Sequence, residues 1–404
     1  VALLKSDNYL AQDMLIRRVG QLLAAGTSGI TYNQIVHSAS HNHSSPYVFT
    51  QSPGLAVFQD AYDARMFELM ARSMRDAIEQ AVRRLKPARM GAHVMPHYVV
   101  KSNIMGPALA NDASPSAGTP AGYPRDFGDN DLIVLRFDDV SMNPAKPIAV
   151  WVNHGEHPEG LDGYGLISAD FLGSFQRYVQ RELGAVLLYT QGDVGSAEGP
   201  YDRSEQNLLM ADGQRRIFAH HGHAQIDRAG RHLADSVTEA FQAIGSGNAN
   251  RINYTQDFPV SILGHFIPGP LSHPTPTISN CDSAQTFSGN PGAPVVGLPD
   301  CGRAEDTGFP GLGEVFGPIF GNVPAGTPIP GHYGAPGHPA VEENQRIYLQ
   351  TVKLCDVLLA SCACEAQVDM FINLKTRTDK VTNNIFNGFD WACMIPDYAN
   401  SDGY

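Results

Sequence analysis

Two histidines separated by one residue form the first candidate for chemistry in this chain. His41 and His43 follow the apolar residues Ile35 and Val36 and a run of small residues. In an extended segment, residues i and i+2 point to the same side, so both imidazoles can face one pocket. Imidazole is the commonest protein ligand for a borderline metal such as zinc. Because an isolated His-x-His is more often a strand end with exposed histidines, further ligands from elsewhere in the chain must decide between the two interpretations.

Two further apolar segments lead into residues that can bind a metal. Val152 is followed by His154 and His157, and Leu359 is followed by Glu365. Two histidines and a glutamate, with an open fourth position, form a catalytic zinc set rather than a closed structural one. Zinc held in this way lowers the pKa of its bound water to about 7, which supplies hydroxide at neutral pH. The three segments together therefore predict a catalytic metal site.

The sequence offers less support for a nucleophilic serine or cysteine. It contains no Gly-x-Ser-x-Gly elbow, and Ser196, between Gly195 and Ala197, has no assignable base. Cys364, next to Glu365, is better explained by packing than by chemistry. The glycine-rich segments lack the strand–turn–helix context of a phosphate-binding loop.

The elements that would position these residues alternate between strands and helices. Hydrophobic periodicity predicts strands near 1–10, 30–36, 91–100, 132–137, 147–152, 185–190 and 356–365. It predicts helices that end near 23, 86, 183, 244 and 355, the longest of them over 56–86 and 211–244 and the last over 341–355. The connection between 132–137 and 147–152 suggests a hairpin. This order predicts an α/β fold with a mixed central sheet flanked by helices, in which loops outside the strand ends build the site.

A long segment from about 257 to 339 is dense in glycine and proline and shows little periodicity. It is expected to be an irregular insertion within a single domain spanning 1–404, serving as a lid or binding loop. Cys281 and Cys301 bracket part of it. A disulfide there would close about 20 residues and contribute roughly 3 kcal/mol, which favours an oxidising compartment, and a reduced, unreactive pair is the alternative.

Charge and hydropathy exclude two classes of protein. The formal net charge is −13, and no lysine or arginine run offers a footprint for nucleic acid. No stretch approaches the ~18 consecutive apolar residues of a transmembrane helix. The chain begins with strand-like residues and no methionine, and it ends in a turn-rich run. We interpret it as a fragment or processed form without its targeting segment, and the C-terminal run is compatible with missing sequence there as well.

Three segments resemble a known family. Residues 38–46, Ser-Ala-Ser-His-Asn-His-Ser-Ser-Pro, are similar to the Ser-Ala-Thr-His-Thr-His-Ser-Gly-Pro stretch of neutral ceramidases and their bacterial relatives. Residues 153–157, Asn-His-Gly-Glu-His, followed by Leu-Ile-Ser-Ala-Asp at 166–170, resemble the second histidine segment of that family. Residues 191–195, Gln-Gly-Asp-Val-Gly, resemble its glycine-containing active-site loop. The likeness covers most of 1–245 and the strand that leads to Glu365.

The resemblance implies an α/β zinc amidase that cleaves the N-acyl bond of ceramide. His41, His157 and Glu365 would be the zinc ligands, and His43 would contact the carbonyl oxygen or the tetrahedral intermediate. His157 matches the family spacing better than His154, which stays as the alternative second ligand.

This chain departs from the family pattern at several positions. The functional serine of the family falls on Glu198, with Ser196 two residues earlier, and Cys-Ala-Cys-Glu replaces the Pro-Gly-Glu that ends at the carboxylate ligand. A tyrosine ligand is expected downstream, where Tyr398 and Tyr404 match only loosely or the tyrosine lies beyond the chain. The departures put ceramide in question as the substrate more than they question metal-assisted amide hydrolysis.

The sequence therefore predicts a secreted or periplasmic Zn²⁺-dependent amide hydrolase. Its expected partner is an N-acyl lipid or another small amide, and contact with a membrane surface is compatible with such a substrate. Two alternatives remain: a non-catalytic lipid- or glycan-binding relative, and a hydrolase of a different amide or ester.

Overall fold

The computed structural model describes residues 1–9, 13–46, 63–97, 129, 131–161, 165–194, 223–268, 346–355 and 357–361 of the 404-residue chain. The helices in these ranges are α1 (Asp13–Ala24), α2 (Ala64–Arg83), α3 (Asp170–Leu183) and α4 (His223–Gly245). The strands are β1 (Ala2–Ser6), β2 (Ile35–Ala39), β3 (Ala88–Pro96), β4 (Asp131–Asp139), β5 (Lys146–His154), β6 (Val186–Gln191), β7 (Ile252–Thr255), β8 (Val260–Pro268), β9 (Arg346–Leu354) and β10 (Val357–Ala360). The predicted α/β class is confirmed.

The central sheet has the order β6-β5-β4-β3-β7 and is mixed, as predicted. Strands β5 and β6 run parallel, whereas β4 is antiparallel to both β3 and β5. The β4–β5 pairing is the predicted hairpin, with Val134 opposite Val152. Strands β1 and β2 form a parallel pair, and β8, β9 and β10 form a separate antiparallel sheet.

Strand alternation gives the central sheet two apolar faces. Leu132 and Val134 of β4 pack on one face with residues of α3 and α4, including Phe175. Ile133 and Leu135 point the other way and pack with residues of β9 and β10. Burying a side chain the size of Phe175 stabilises the fold by roughly 1.5–3 kcal/mol. Because both faces bury several apolar side chains, packing stabilises the sheet on both sides. The sheet is therefore a rigid platform whose strand ends can position a site.

Helices α1 and α2 form another apolar cluster with β1 and β2. Phe67, Ala71, Met74 and Ile78 of α2 are buried at helical spacing against this cluster. The helix begins after Asp63, whose carboxylate accepts hydrogen bonds from the backbone N–H groups of the first turn. This cluster supports β2, the strand that leads to the first histidine pair.

Two predictions about the second half of the chain are wrong. The segment 341–355 was expected to be a helix, but Arg346–Leu354 is strand β9, paired with β8 on one side and β10 on the other. The irregular segment is expected to cover 257–339, but Val260–Pro268 within it forms strand β8. Both strands depend on pairing between residues distant in sequence, and local periodicity cannot report such pairing.

Several sequence-based expectations lie outside the described residues. Cys281 and Cys301 are among them, so their disulfide remains a prediction, as does the single-domain assignment. The described helices include none that is long and apolar enough to cross a membrane.

Candidate metal centre

The His-x-His pair lies in a turn directly after β2. Strand β2 ends at Ala39, and the pairing with β1 continues through hydrogen bonds from Ser40 N to Ser6 O (2.9 Å) and from Asn42 N to Asn8 O. His41 has a left-handed backbone with φ 61°, so the pair is not extended. The prediction that strand alternation brings both imidazoles to one side is therefore wrong. The two rings nevertheless lie together, with centroids 4.9 Å apart.

His157 completes a cluster of three histidines. Its ring centroid lies 4.4 Å from that of His41 and 4.9 Å from that of His43. One ring nitrogen from each histidine lies within 4.8 Å of the others, close enough for a single metal ion. His41 and His157 are buried, and His43 is partly exposed. Of the two histidines at and just beyond the end of β5, the structure thus brings His157, and not His154, to the His-x-His pair.

Backbone carbonyls define the tautomers of two of these histidines. Nδ1 of His41 lies 3.0 Å from the carbonyl oxygen of Tyr9, and Nδ1 of His157 lies 2.9 Å from that of Val194. A carbonyl can only accept a hydrogen bond, so each Nδ1 carries the proton and each Nε2 carries the lone pair. This is the arrangement that orients a metal-ligating histidine in known sites.

Burial favours the neutral form of His41 and His43. Desolvation lowers the pKa of His41 well below its ordinary value, and the neighbouring His157 lowers it further. The pKa of His43 is lowered for the same reason, with His41 and His157 as the neighbouring charges. Neutral imidazole is the form that binds a metal, so these rings are ready to act as ligands at neutral pH.

Tyr9 orders the cluster through its ring as well as its carbonyl. The ring stacks on His41 with centroids 4.5 Å apart and meets His43 edge-on at 4.7 Å. Sequence reasoning missed this residue, because nothing in its local pattern separates it from any other aromatic residue near a strand end.

Gln191 connects the two histidine-bearing loops. Its Nε2 donates to the carbonyl oxygens of Ser40 (2.7 Å) and Glu156 (2.8 Å), and its Oε1 accepts from the backbone N–H of Glu156 at 3.2 Å. The side chain is completely buried at the end of β6. The resemblance singled out the segment that begins with Gln191, but only the fold shows that this amide holds the loops together.

A second set of hydrogen bonds joins the same loops. His43 N donates to Pro158 O at 3.1 Å, and Ser168 N donates to Ser44 O at 3.0 Å. The Asn42 side-chain amide donates to the carbonyl oxygen of Ser168. The Leu-Ile-Ser-Ala-Asp segment therefore acts as a brace for the His-x-His turn, a structural role that motif similarity alone did not assign.

Close backbone packing brings the ends of β5 and β6 together. A Cβ atom on Gly155 would collide with Oδ1 of Asp193 and would lie 2.6 Å from the backbone nitrogen of the same residue. A Cβ atom on Gly192 would lie 2.8 Å from the backbone nitrogen of Gly155. Only glycine fits at either position, and this contact places His157 beside the first histidine pair.

The remaining predicted site residues fall elsewhere. Glu365, Ser196, Glu198, Tyr398 and Tyr404 lie outside the described residues, so the carboxylate and tyrosine ligands remain predictions. His154, the alternative second ligand, faces a different group that contains His97 and Glu156.

Comparisons with known proteins identify a similar fold. No protein-family model matches the chain. No curated protein matches it by sequence. The structure of neutral ceramidase from Pseudomonas aeruginosa is similar, with a TM-score of 0.65 and 16% identity over 98% of this chain and 59% of that one. A structure of a ceramidase complexed with C2 gives a TM-score of 0.64 and 17% identity, over 98% of this chain and 60% of that one.

The chain thus spans about three fifths of the length of these ceramidases. The predicted resemblance to the ceramidase family is confirmed in the fold.

Proposed function

We propose that this protein is a zinc-dependent hydrolase that cleaves the N-acyl amide bond of ceramide or a related lipid. The observation that carries the proposal is the histidine cluster, in which His41 and His157 each donate Nδ1–H to a carbonyl and one ring nitrogen of each histidine lies within 4.8 Å of the others. The ceramidase-like fold supports an acyl-amide substrate. We propose in addition that the protein is secreted or periplasmic.

His41 and His157 fit the role of metal ligands, with Glu365 as the proposed carboxylate ligand. Both histidines are buried, and a backbone carbonyl fixes each in the tautomer that a metal requires. A bound zinc ion would polarise the scissile carbonyl and lower the pKa of its water. The remaining work of catalysis then falls to groups of the chain that contact the substrate.

His43 is suited to bind the oxyanion that develops on the substrate carbonyl. Its Nε2 is buried and has no hydrogen-bond partner in the part of the chain that the structure describes. Tyr9 and the two other histidines hold the ring at the edge of the cluster. A neutral ring with a proton on Nε2 can donate to the tetrahedral intermediate, which is the type of contact that stabilises an oxyanion.

The test separates metal binding from catalysis. Zinc per chain is measured by elemental analysis, and hydrolysis is measured on short- and long-chain ceramides, a simple N-acyl amine and an acyl ester. His41→Ala should lose one equivalent of zinc and the activity, whereas His43→Ala should keep the zinc and lose the activity. His93→Ala, which alters a partly exposed histidine outside the cluster, is the control. Hydrolysis that survives in His41→Ala would refute the proposal.

Glu198 supports one competing function. It stands where the ceramidase pattern has a functional serine, a change that would suit a protein that binds a lipid or glycan without cleaving it. A zinc-loaded protein that is inactive on every substrate of the panel would favour this alternative.

A further inference from the structure

A second group of metal-ligating side chains lies beside the first, and the proposed hydrolysis does not use it. It consists of His97, His154 and Glu156, whose donor atoms all lie within 4.8 Å of one another. Each of the three residues is only 1% exposed. Buried carboxylates in proteins are usually paired or coordinate a metal, so a cation fits this group.

The antiparallel sheet brings these residues together. His97 follows the end of β3 and His154 ends β5, and both strands pair with β4, which lies between them. Val94 of β3 and Asn153 of β5 face the same β4 residue, Ile133. The ends of β3 and β5 therefore lie at the same edge of the sheet, and the loop after β5 carries Glu156 to that edge.

Hydrogen bonds orient both imidazoles as they do in the first cluster. Nδ1 of His154 lies 3.2 Å from the carbonyl oxygen of Asp131, so this nitrogen carries the proton and Nε2 carries the lone pair. Nδ1 of His97 lies 2.8 Å from Oγ of Ser236 on α4, and its ring centroid is 5.0 Å from that of His154. The carbonyl partner of His154 is the usual outer-shell arrangement of a ligand that binds through Nε2, and the Ser236 hydroxyl, which can accept or donate, orients the ring of His97.

This tautomer of His154 determines what can lie between the three side chains. A lone pair on Nε2 of His154 and a carboxylate oxygen of Glu156 are both acceptors, so a cation placed between them satisfies both. A proton would serve one pair only, whereas three converging donors suit a metal ion. Two imidazoles and a carboxylate match the ligand preference of zinc, and calcium and magnesium prefer oxygen ligands alone.

We propose that His97, His154 and Glu156 bind a second divalent transition-metal ion, with Zn²⁺ the best-fitting ion. The site is separate from the His41–His157 cluster, although His154 and His157 lie on the same loop. Its ion would fasten the end of β3 to the loop after β5. Because Gln191 also holds Glu156 through the backbone, the second ion would stiffen the segment that positions His157.

Zinc stoichiometry tests the proposal without any measure of activity. The purified chain is equilibrated with Zn²⁺, freed of loosely bound metal and analysed for zinc per chain. The wild type should hold two equivalents, and His97→Ala and Glu156→Gln should each hold one. Glu156→Gln preserves the size of the side chain. His93→Ala, at a partly exposed position on β3 four residues before His97, is the matched control.

The outcomes for the two sites are distinguishable. His41→Ala should retain the equivalent bound by the second site, and the double variant His41→Ala/His97→Ala should retain none. If His97→Ala and Glu156→Gln bind as much zinc as the wild type, the second site is refuted whatever happens at His41. If His41→Ala matches the wild type while His97→Ala loses one equivalent, the second site stands and the proposed catalytic site fails.

Discussion

Replacement of Gln191 by leucine would separate the two loops that build the metal centre. Leucine fits the apolar stem of the buried glutamine but forms no hydrogen bonds. The change deprives the carbonyl oxygens of Ser40 and Glu156, and the backbone N–H of Glu156, of a side-chain partner. We therefore expect both weaker folding and weaker metal binding.

The magnitude follows from the groups that lose their partner. A buried polar group left without a hydrogen bond costs about 1–3 kcal/mol. The lower value, applied to each of the three backbone groups, predicts that the free energy of unfolding should fall by about 3 kcal/mol. Loss of a residue that orients ligands typically lowers metal affinity about 10- to 100-fold.

Two measurements check the prediction. Urea denaturation of the metal-free protein reports the free energy of unfolding, and competition with a chelator reports zinc affinity. Gln242→Leu, on the exposed side of α4, is the control and should change neither quantity. A Gln191→Leu variant that is as stable as the wild type, or that binds zinc equally well, would show that Gln191 does not position the loops.

Three further predictions concern pH, packing and metal removal. Burial lowers the pKa of His37 from 6.5 to about 3. Below pH 6.5 the unfolded chain binds a proton at His37, whereas the folded chain does not. The free energy of unfolding should therefore fall by about 1.4 kcal/mol per pH unit as the pH drops from 6.5 toward 3. Urea denaturation at pH 7 and 5.5 should show this slope reduced in His37→Gln, and an equal slope would contradict it. Gly155→Ala should lose about 1–3 kcal/mol of stability in the same assay because its Cβ would collide with Asp193, whereas Gly173→Ala within α3 should lose little. A chelator should lower the thermal midpoint of the zinc-loaded wild type. If free zinc was at 100 times Kd, its removal lowers the free energy of unfolding by about 2.7 kcal/mol. A midpoint that does not respond to the chelator would argue against a metal site in the folded protein.

Much of the fold could be predicted because its signals are local. Helix α3 follows from helical spacing, and its predicted end near 183 is the observed one. The alternating and apolar runs of β4 and β5 predicted a hairpin that the structure confirms. Strand β9 was mistaken for a helix because nine residues of mixed polarity suit either period, and only its pairing with β8 and β10 decides between them.

The site divides in the same way. By itself, the sequence determined which residues have metal chemistry and that they follow strand ends, since residue type and hydrophobic pattern are properties of the chain. The family resemblance favoured His157 as the second ligand and kept His154 as the alternative.

Only the tertiary structure decided that choice. The close contact of Gly155 with Asp193 and the bridge formed by Gln191 turn His157 toward the first pair and leave His154 facing His97. These are contacts between residues brought together by sheet pairing, so no local pattern records them. The same physical reason conceals the second cluster from the sequence: His97 and Glu156 become neighbours only because β3 and β5 flank one strand.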